Sequence, residues 1–285
     1  MNLNLVSHIN GDGDLLEAWF RHYLGMGVTS FHLIMHGARS ENARLVALKD
    51  RFPVLIRDAY EGEYRSEEKK RRTDAVLASL TGQWVIVADS DEFVEFPFRR
   101  IGTTIRMLEV AGANALYAPM LQRLTRDGSL DTPAIVEDPF ATFPRCSVSL
   151  YKTMGSAASI DKFPLFYCTR NTRLFDGGNH TPPQGERPAI STLRGVTHHF
   201  KFRGSLMRRL ERRIHSSHSW RHESVEFLNY LDRHDHRLPL QNSFDYSRSE
   251  LFRRGLLRRF PPRPGFHWVR QAVMQHLFVG VKVPH

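Results

Sequence analysis

Cysteine is scarce in this sequence, with only Cys146 and Cys168 among 285 residues. The two form neither a CxxC pair nor a cluster with metal-ligand spacing, which excludes a disulfide framework and is typical of a reducing compartment. Long apolar runs are also missing, and none approaches the ~20 residues that a membrane-spanning helix needs. The first residues lack a basic region followed by an apolar one, so we expect no signal peptide and a cytoplasmic protein.

Acidic residues are outnumbered, with 30 Asp and Glu against 40 Lys and Arg, for a net charge of +10. Such a balance indicates anionic partners: nucleic acid, anionic lipid or phosphorylated substrates. The excess lies mainly in the C-terminal part, where seven arginines and one acid, Glu250, occupy residues 248–270. A helix predicted from Leu206 places further arginines on its outward face, namely Arg208, Arg209, Arg212 and Arg213.

Strand-like and helix-like segments alternate through residues 1–120. This βαβα rhythm predicts an α/β fold with a mostly parallel sheet between helices. The segment "WVIVA" is continuously apolar, as expected of a central strand covered on both faces, whereas "ALYAPML" predicts a later strand. We predict a catalytic domain at residues 1–204 and a basic helical C-terminal extension at residues 205–285.

Three acids, Asp89, Asp91 and Glu92, follow the apolar strand within four residues. Ligands of parallel sheets bind beyond the carboxyl ends of the strands, so these acids lie where chemistry is expected. In an extended chain Asp89 and Asp91 point the same way and can face one Mg²⁺ or Mn²⁺, which prefers carboxylate oxygens and is usually shared with substrate phosphates. The alternative is a solvated turn whose acids cap the next helix.

Two blocks of the sequence resemble glycosyltransferases of the GT-A fold, closest to the family-2-like and family-92-like groups. The block "GDGDLLEAWFRHYLGMGVTSFHL" is similar to their pattern E-x-x-x-L-x-E-W-x-x-Y-H-x-x-L-G-V-x-x-F, and "WVIVADSDEF" is similar to W-x-x-x-x-D-x-D-E-F. Weaker similarity continues through "DKFPLFY", "GGNHTPP" and "THHFKFRGS", so the resemblance covers about residues 1–210.

The resemblance implies inverting transfer of a sugar from a nucleotide-sugar donor to a hydroxyl, with Mn²⁺ or Mg²⁺ as cofactor. It implies that Asp91 binds the metal and that Asp89 binds the metal or the nucleotide ribose. His180 and His199 match family motifs and would be further metal ligands, ahead of His198, and Lys162 would contact the donor.

Two strand ends depart from the family pattern. The second strand ends in "LIMHGARS" where the family usually has an acid, and the first ends in "HINGDGD" in place of K-N-E. We therefore include His8 and His36 among the donor-binding candidates and leave the donor's identity open. Lys69, Arg71 and Arg72 precede the acidic strand and either reach the donor phosphates or form a solvated helix face.

An inverting transfer also needs a carboxylate base near the acceptor hydroxyl. The candidates after the acidic strand are Asp127, Glu137, Asp138 and Asp176. We select Asp138, in "VEDP", because a loop acid before proline suits the rim of a site, although it equally suits an ordinary turn.

The last residues combine arginines with Phe266, Trp268 and Phe278. This composition predicts an anchor at the inner face of an anionic membrane or, equally, a helix packed on the catalytic domain. The anchor would suit a glycan or lipid-linked acceptor in surface polysaccharide synthesis.

Two other functions stay open. A basic nucleic-acid-binding protein would explain the net charge but not the acidic cluster, and no zinc spacing or aromatic RNA-binding signature is present, so we expect no nucleic-acid partner. A metal-dependent phosphohydrolase would need more acids at other strand ends, where the third strand offers only Asp58.

Overall fold

The computed structural model describes residues 2–11, 13–156, 158–183, 190–214 and 221–259. The helices in these ranges are α1 (Leu16–Met26), α2 (Ala43–Leu48), α3 (Ser66–Ala78), α4 (Ile101–Val110), α5 (Pro139–Thr142), α6 (Leu150–Thr153), α7 (Leu206–Ile214), α8 (Arg221–Arg233) and α9 (Arg248–Arg253). The strands are β1 (Asn4–Ile9), β2 (Ser30–His36), β3 (Val54–Tyr60), β4 (Trp84–Val87), β5 (Glu92–Glu95), β6 (Ala115–Tyr117), β7 (Met120–Leu124), β8 (Arg145–Ser147), β9 (Leu165–Tyr167), β10 (Ile190–Arg194), β11 (Val196–His199) and β12 (Phe244–Asp245).

The larger sheet has seven strands in the order β10-β6-β9-β4-β1-β2-β3. Strand β1 is parallel to β2 and β4, and β2 is parallel to β3, as the βαβα rhythm predicted. Strand β9 departs from the prediction, because it runs antiparallel to both β4 and β6. It comes from residues 158–183, a stretch without helices, rather than from a βαβ unit. The carboxyl ends of β1, β2, β3 and β4 therefore share one edge.

A smaller sheet has five strands in the order β12-β8-β7-β11-β5. Strand β11 is parallel to β7, and the other three pairs are antiparallel. The single strand expected from "ALYAPML" is wrong: β6 ends at Tyr117 in the larger sheet and β7 begins at Met120 in the smaller one. Pro119 lies between them, and proline lacks the N–H group that a continuous ladder would need.

Helix α1 packs its apolar face into the main hydrophobic core. Trp19, Phe20 and Tyr23 are fully buried there together with residues of both sheets, including Phe31 and Phe93. The helix ends at Gly27, whose φ of 103° lies in the left-handed region that favours glycine. The N-terminal tryptophan-containing block is thus a core helix beside the acidic segment.

Helices α7 and α8 pack on the smaller sheet. They bury Leu206, Leu210, Phe227 and Leu231 in one cluster, which also contains Met120 of β7, Tyr151 of α6 and the loop residue Phe202. Helices α7 and α8 therefore share a core with the predicted catalytic domain. The predicted membrane anchor lies outside the described residues. No helix in the described ranges is long and apolar enough to cross a bilayer.

Candidate functional site

The acidic segment forms a turn that joins the two sheets. After β4, the amide of Glu92 donates to the carbonyl of Asp89 (3.0 Å), and β5 begins at Glu92. The expectation of an extended chain, with Asp89 and Asp91 on one face, is therefore wrong. The turn instead gives the two carboxylates different partners, although both lie at the carboxyl edge of the larger sheet. We call residues 89–92 the acidic turn.

Helix α1 holds the backbone of the acidic turn. The indole N–H of Trp19 donates to the carbonyls of Asp89 (3.0 Å) and Glu92 (3.1 Å). The hydroxyl of Tyr23 also donates to the Glu92 carbonyl (2.9 Å) and accepts from the amide of Val94 (3.1 Å). Buried carbonyls that had no such donors would be costly, so α1 stabilises one conformation of the turn. The two blocks that carry the family resemblance are thus in direct contact.

Lysines neutralise two acids of the turn. Nζ of Lys69, from α3, lies 2.6 Å from Oδ1 of Asp89, and Nζ of Lys162 lies 2.5 Å from Oε1 of Glu92. Burial by itself would raise the pKa of Asp89, but the ammonium groups of Lys69 and Lys162 outweigh it and hold this pKa below its usual value. Asp89 is therefore ionised at neutral pH.

Asp91 faces three other cations or potential cations. Its Oδ2 lies 3.5 Å from Nε2 of His199 and 3.6 Å from guanidinium nitrogens of Arg203 and Arg209. Burial would raise the pKa of Asp91, but His199 and the two guanidinium groups hold it well below its usual value. Arg203 has no exposed surface and also binds Asp14 through Nε (2.5 Å) and Nη2 (3.1 Å).

Two adjoining cavities meet at the acidic turn. The first has a volume of about 370 Å³ and the second about 140 Å³. Six residues line both: Tyr64, Lys69, Asp89, Asp91, Arg209 and Arg213. Three of these side chains are cationic, so the junction suits an anion that extends from one cavity into the other.

The rings of His8, His36 and Tyr64 line the first cavity. His36 stacks on Tyr60, with ring centroids 4.5 Å apart, and His8 Nε2 lies 2.7 Å from the Tyr60 hydroxyl. Burial, assisted by the charge of Lys69, lowers the pKa of His8 to about 3, so this imidazole is uncharged at neutral pH. Nε2–H of His36 donates to the carbonyl of Gly62 (2.9 Å). The cavity therefore offers aromatic surface and oriented polar atoms at the ends of β1 and β2.

The second cavity contains the remaining predicted site residues. Lys162, His180 and His199 line it, together with Asp89 and Asp91. Nδ1 of His180 donates to the Asp161 carbonyl (2.9 Å), and burial lowers the pKa of His180 to about 4.

The "GGNH" segment lets His180 pack closely on the backbone. A Cβ at Gly178 would lie 2.5 Å from the His180 ring, so only glycine fits there. His198, by contrast, is fully buried and lines neither cavity. Its Nε2 lies 3.0 Å from Oε2 of Glu95.

The donor set for a divalent ion is incomplete within the protein. Among the described residues, no three His, Cys, Asp or Glu side chains form a group that could hold a metal. Asp91 and His199 are nevertheless adjacent, with Oδ2 and Nε2 3.5 Å apart, and Nδ1–H of His199 donates to Oε1 of Gln122 (2.9 Å), which turns Nε2 towards the carboxylate. This pair fits an ion that takes its other ligands from a bound phosphate. Asp89 is engaged by Lys69 instead.

The candidate bases do not come to the cavities. Asp138 caps α5, where its Oδ1 accepts from the amides of Phe140 and Ala141 (both 3.0 Å), so the selection of this acid as a rim residue is corrected to a helix cap. Asp127 forms an exposed pair with Arg237 (3.1 Å), and Asp176 accepts from backbone amides of its own loop. These three acids and Glu137 line neither cavity.

Helices α7 and α8 bring side chains to the cavities that no motif in the sequence had predicted. Arg209 and Arg213, expected on the outward face of α7, line both cavities, and Arg209 Nη2 donates to the Lys201 carbonyl (2.6 Å). Their i, i+4 spacing places them on one helix face, but periodicity could not show what that face meets. Glu223 of α8 lines the second cavity, and it belongs to none of the motifs found in the sequence.

Comparisons with known proteins show distant similarity only. No protein-family model and no curated protein sequence matches the chain. Residues 1–349 of S. aureus TarS, in complex with UDP-GlcNAc, match with a TM-score of 0.38 and 9% identity over 88% of this chain and 75% of TarS 1–349. The 4-diphosphocytidyl-2C-methyl-D-erythritol synthase from Anaerococcus prevotii matches with a TM-score of 0.29 and 10% identity over 88% of this chain and 93% of that one. A CMP:2-keto-3-deoxy-manno-octonic acid synthetase complexed with CTP matches with a TM-score of 0.29 and 11% identity, over 98% of this chain and 99% of that one.

Proposed function

We propose that this protein is a glycosyltransferase that moves a sugar from a nucleotide-sugar donor to a hydroxyl group, with inversion at the anomeric carbon. The observation that carries the proposal is the acidic turn at the junction of two cavities, surrounded by Lys69, Arg209 and Arg213. A nucleotide sugar has the matching order of parts: an aromatic base, a ribose, an anionic diphosphate and a neutral sugar.

The first cavity would hold the nucleoside and the second the sugar. Base and ribose would meet the rings and polar atoms around His8 and His36, with Asp89 in reach of the ribose hydroxyls. The diphosphate would lie at the junction, where Lys69 and Arg209 attract it. Lys162 would help on the sugar side, because its Nζ lines the second cavity while it pairs with Glu92.

The proposal includes a Mn²⁺ or Mg²⁺ ion held by Asp91 and His199. Such an ion supplies Lewis-acid stabilisation of the charge that develops on the leaving diphosphate. The chain's own residues prepare the place: Gln122 orients the His199 ring, and Arg203 holds the Asp91 carboxylate in its ionised form. Asp89 and His180 would act around this centre, Asp89 through Lys69 and His180 from the wall of the second cavity.

We extend the proposal to the acceptor, which would be a glycan or a lipid-linked molecule of surface polysaccharide synthesis. The basic character of the chain supports an anionic membrane surface at its cytoplasmic side as the meeting place.

Calorimetric titration tests the donor and the ion together. UDP-GlcNAc, UDP-glucose, GDP-mannose and TDP-glucose would be titrated into wild type, Asp91→Asn and the control Asp127→Asn, each with and without Mn²⁺. We expect one donor to bind in the presence of Mn²⁺, and Asp91→Asn to weaken it by roughly 10- to 100-fold, the equivalent of one lost charged contact. Asp127→Asn should bind like wild type, because Asp127 lies at the surface on Arg237.

The sign of the Asp91→Asn effect separates two modes of binding. If cationic side chains alone bind the diphosphate, removal of a negative charge strengthens binding, and that result would refute the role of the ion. If none of the four donors binds to wild type under either condition, the glycosyltransferase proposal itself is wrong.

A further inference from the structure

Glu223 occupies a distinctive place in the second cavity. It lies in the first turn of α8 and lines the second cavity but not the first. Four carboxylates line this cavity in the described residues, and the other three belong to the acidic turn. Glu223 therefore approaches the cavity from a different part of the chain than the acids that would face the diphosphate.

The other three carboxylates pair with cationic side chains that would face the nucleotide-sugar donor. Asp89 pairs with Lys69 and Glu92 with Lys162, at 2.6 and 2.5 Å, and Asp91 lies against two guanidinium groups and His199. In a single displacement the attacking oxygen and the leaving phosphate lie on opposite sides of the anomeric carbon. A base from the acidic turn would sit on the leaving-group side.

The surroundings of Glu223 keep its carboxylate ionised and oriented. Nζ of Lys201 donates to Oε1 (2.7 Å), and the Ser156 hydroxyl donates to Oε2 (3.3 Å). Burial would raise the pKa of Glu223, but the Lys201 ammonium outweighs it and holds the pKa below its usual value. The Ser156 contact to Oε2 is long, so this oxygen can accept a hydrogen bond from another proton donor.

We propose that Glu223 is the catalytic base of this transfer, an inference that rests on the function proposed above. The acceptor O–H gives its proton to Oε2 of Glu223 as the oxygen attacks the anomeric carbon. The bond between that carbon and the phosphate oxygen breaks, and its electron pair leaves with the nucleoside diphosphate. Lys201 is a positioning residue, because its ammonium group donates to Oε1 and holds the carboxylate in place.

Donor turnover with two different nucleophiles tests the assignment. The four nucleotide sugars named above would be incubated with wild type, Glu223→Gln, Glu223→Asp and the control Glu226→Gln, first in water and then with sodium azide. Water needs a base when it attacks, whereas azide carries no proton and needs none. Glu226 lies on the same helix but lines neither cavity.

We expect Glu223→Gln to lose about 10²–10⁴-fold in donor hydrolysis while it retains donor affinity, and to match wild type in the formation of glycosyl azide. Glu223→Asp should also be slow with water, because its carboxylate is one methylene shorter, although it keeps the negative charge beside Lys201 and so preserves folding. Glu226→Gln should match wild type with both nucleophiles.

Three results would overturn the inference in different ways. Hydrolysis by Glu223→Gln or Glu223→Asp at the wild-type rate refutes the base and leaves the glycosyltransferase proposal intact. An equal loss with water and azide refutes it too, because it indicates a structural role. Absence of turnover by wild type with every donor, in water and in azide, refutes the proposed function and this inference together.

Discussion

Arg203→Met should be among the most destabilising single changes near the site. The Arg203 side chain has no exposed surface and binds three parts of the chain: Asp14 before α1, the Phe200 carbonyl (2.7 Å) and Asp91 in the acidic turn (3.6 Å). Methionine fills much of the same volume but leaves two largely buried carboxylates without this partner. Removal of one partner from a buried ion pair costs about 3–5 kcal/mol.

Asp14 and Asp91 retain 18% and 12% exposure of their side chains, so water relieves part of this cost and the lower end of the range applies. We expect a loss of ~3 kcal/mol, measured by urea unfolding followed by circular dichroism, and a melting temperature lowered by roughly 6–12 °C. The matched control is Arg237→Met, which breaks the pair of Arg237 and Asp127. Its N–O distance of 3.1 Å equals that between Nη2 of Arg203 and Oδ1 of Asp14, but its side chains are both 58% exposed.

Solvent screens the pair of Arg237 and Asp127, so its loss should leave stability nearly unchanged. If Arg203→Met and Arg237→Met unfold at the same urea concentration, burial does not decide the strength of these pairs, and the reasoning about the buried cations around the acidic turn fails. A large loss in the Arg203 variant alone supports it.

Two further predictions concern the braces of the site and the response of the fold to acid. Trp19→Phe keeps an aromatic ring in the core but removes the N–H donor to Asp89 and Glu92, so we expect a loss of about 1–3 kcal/mol in urea unfolding and weaker donor binding; unchanged donor affinity would show that the turn needs no such brace. Burial, followed by the charge of Arg57, lowers the pKa of His32 from 6.5 to about 4, and Arg57 Nε–H donates to its Nδ1 (2.8 Å), so the folded state disfavours the protonated ring. This contribution to stability is complete above pH 6.5 and is lost as the pH falls towards 4, so urea midpoints should drop in that window and the drop should be smaller in His32→Gln; an identical pH profile in that variant would contradict the assignment.

The site residues that could be predicted are those marked by the pattern of their immediate neighbours in the sequence. A continuous apolar strand followed by acids predicted the place of Asp89 and Asp91 at the carboxyl edge of the sheet, and the structure brings His8, His36, Lys162, His180 and His199 to the two cavities beside them. The choice of Asp138 failed because a loop acid before proline has the same local pattern whether it caps a helix or lines a site. Its two amide contacts show that capping is its role.

What the sequence determined by itself is the alternation of β1 to β4 with α1 to α4 and the acids that follow β4, because hydrophobic periodicity and strand-end chemistry act over a few neighbouring residues. What only the tertiary structure decided is which groups meet those acids. Lys69 comes from the helix before the turn and Arg209 from α7, and the periodicity of their helices does not show which groups their long, flexible side chains contact. The charge that balances the acidic turn therefore depends on packing between distant segments, and desolvation in that packing makes the pairing strong enough to shape a site.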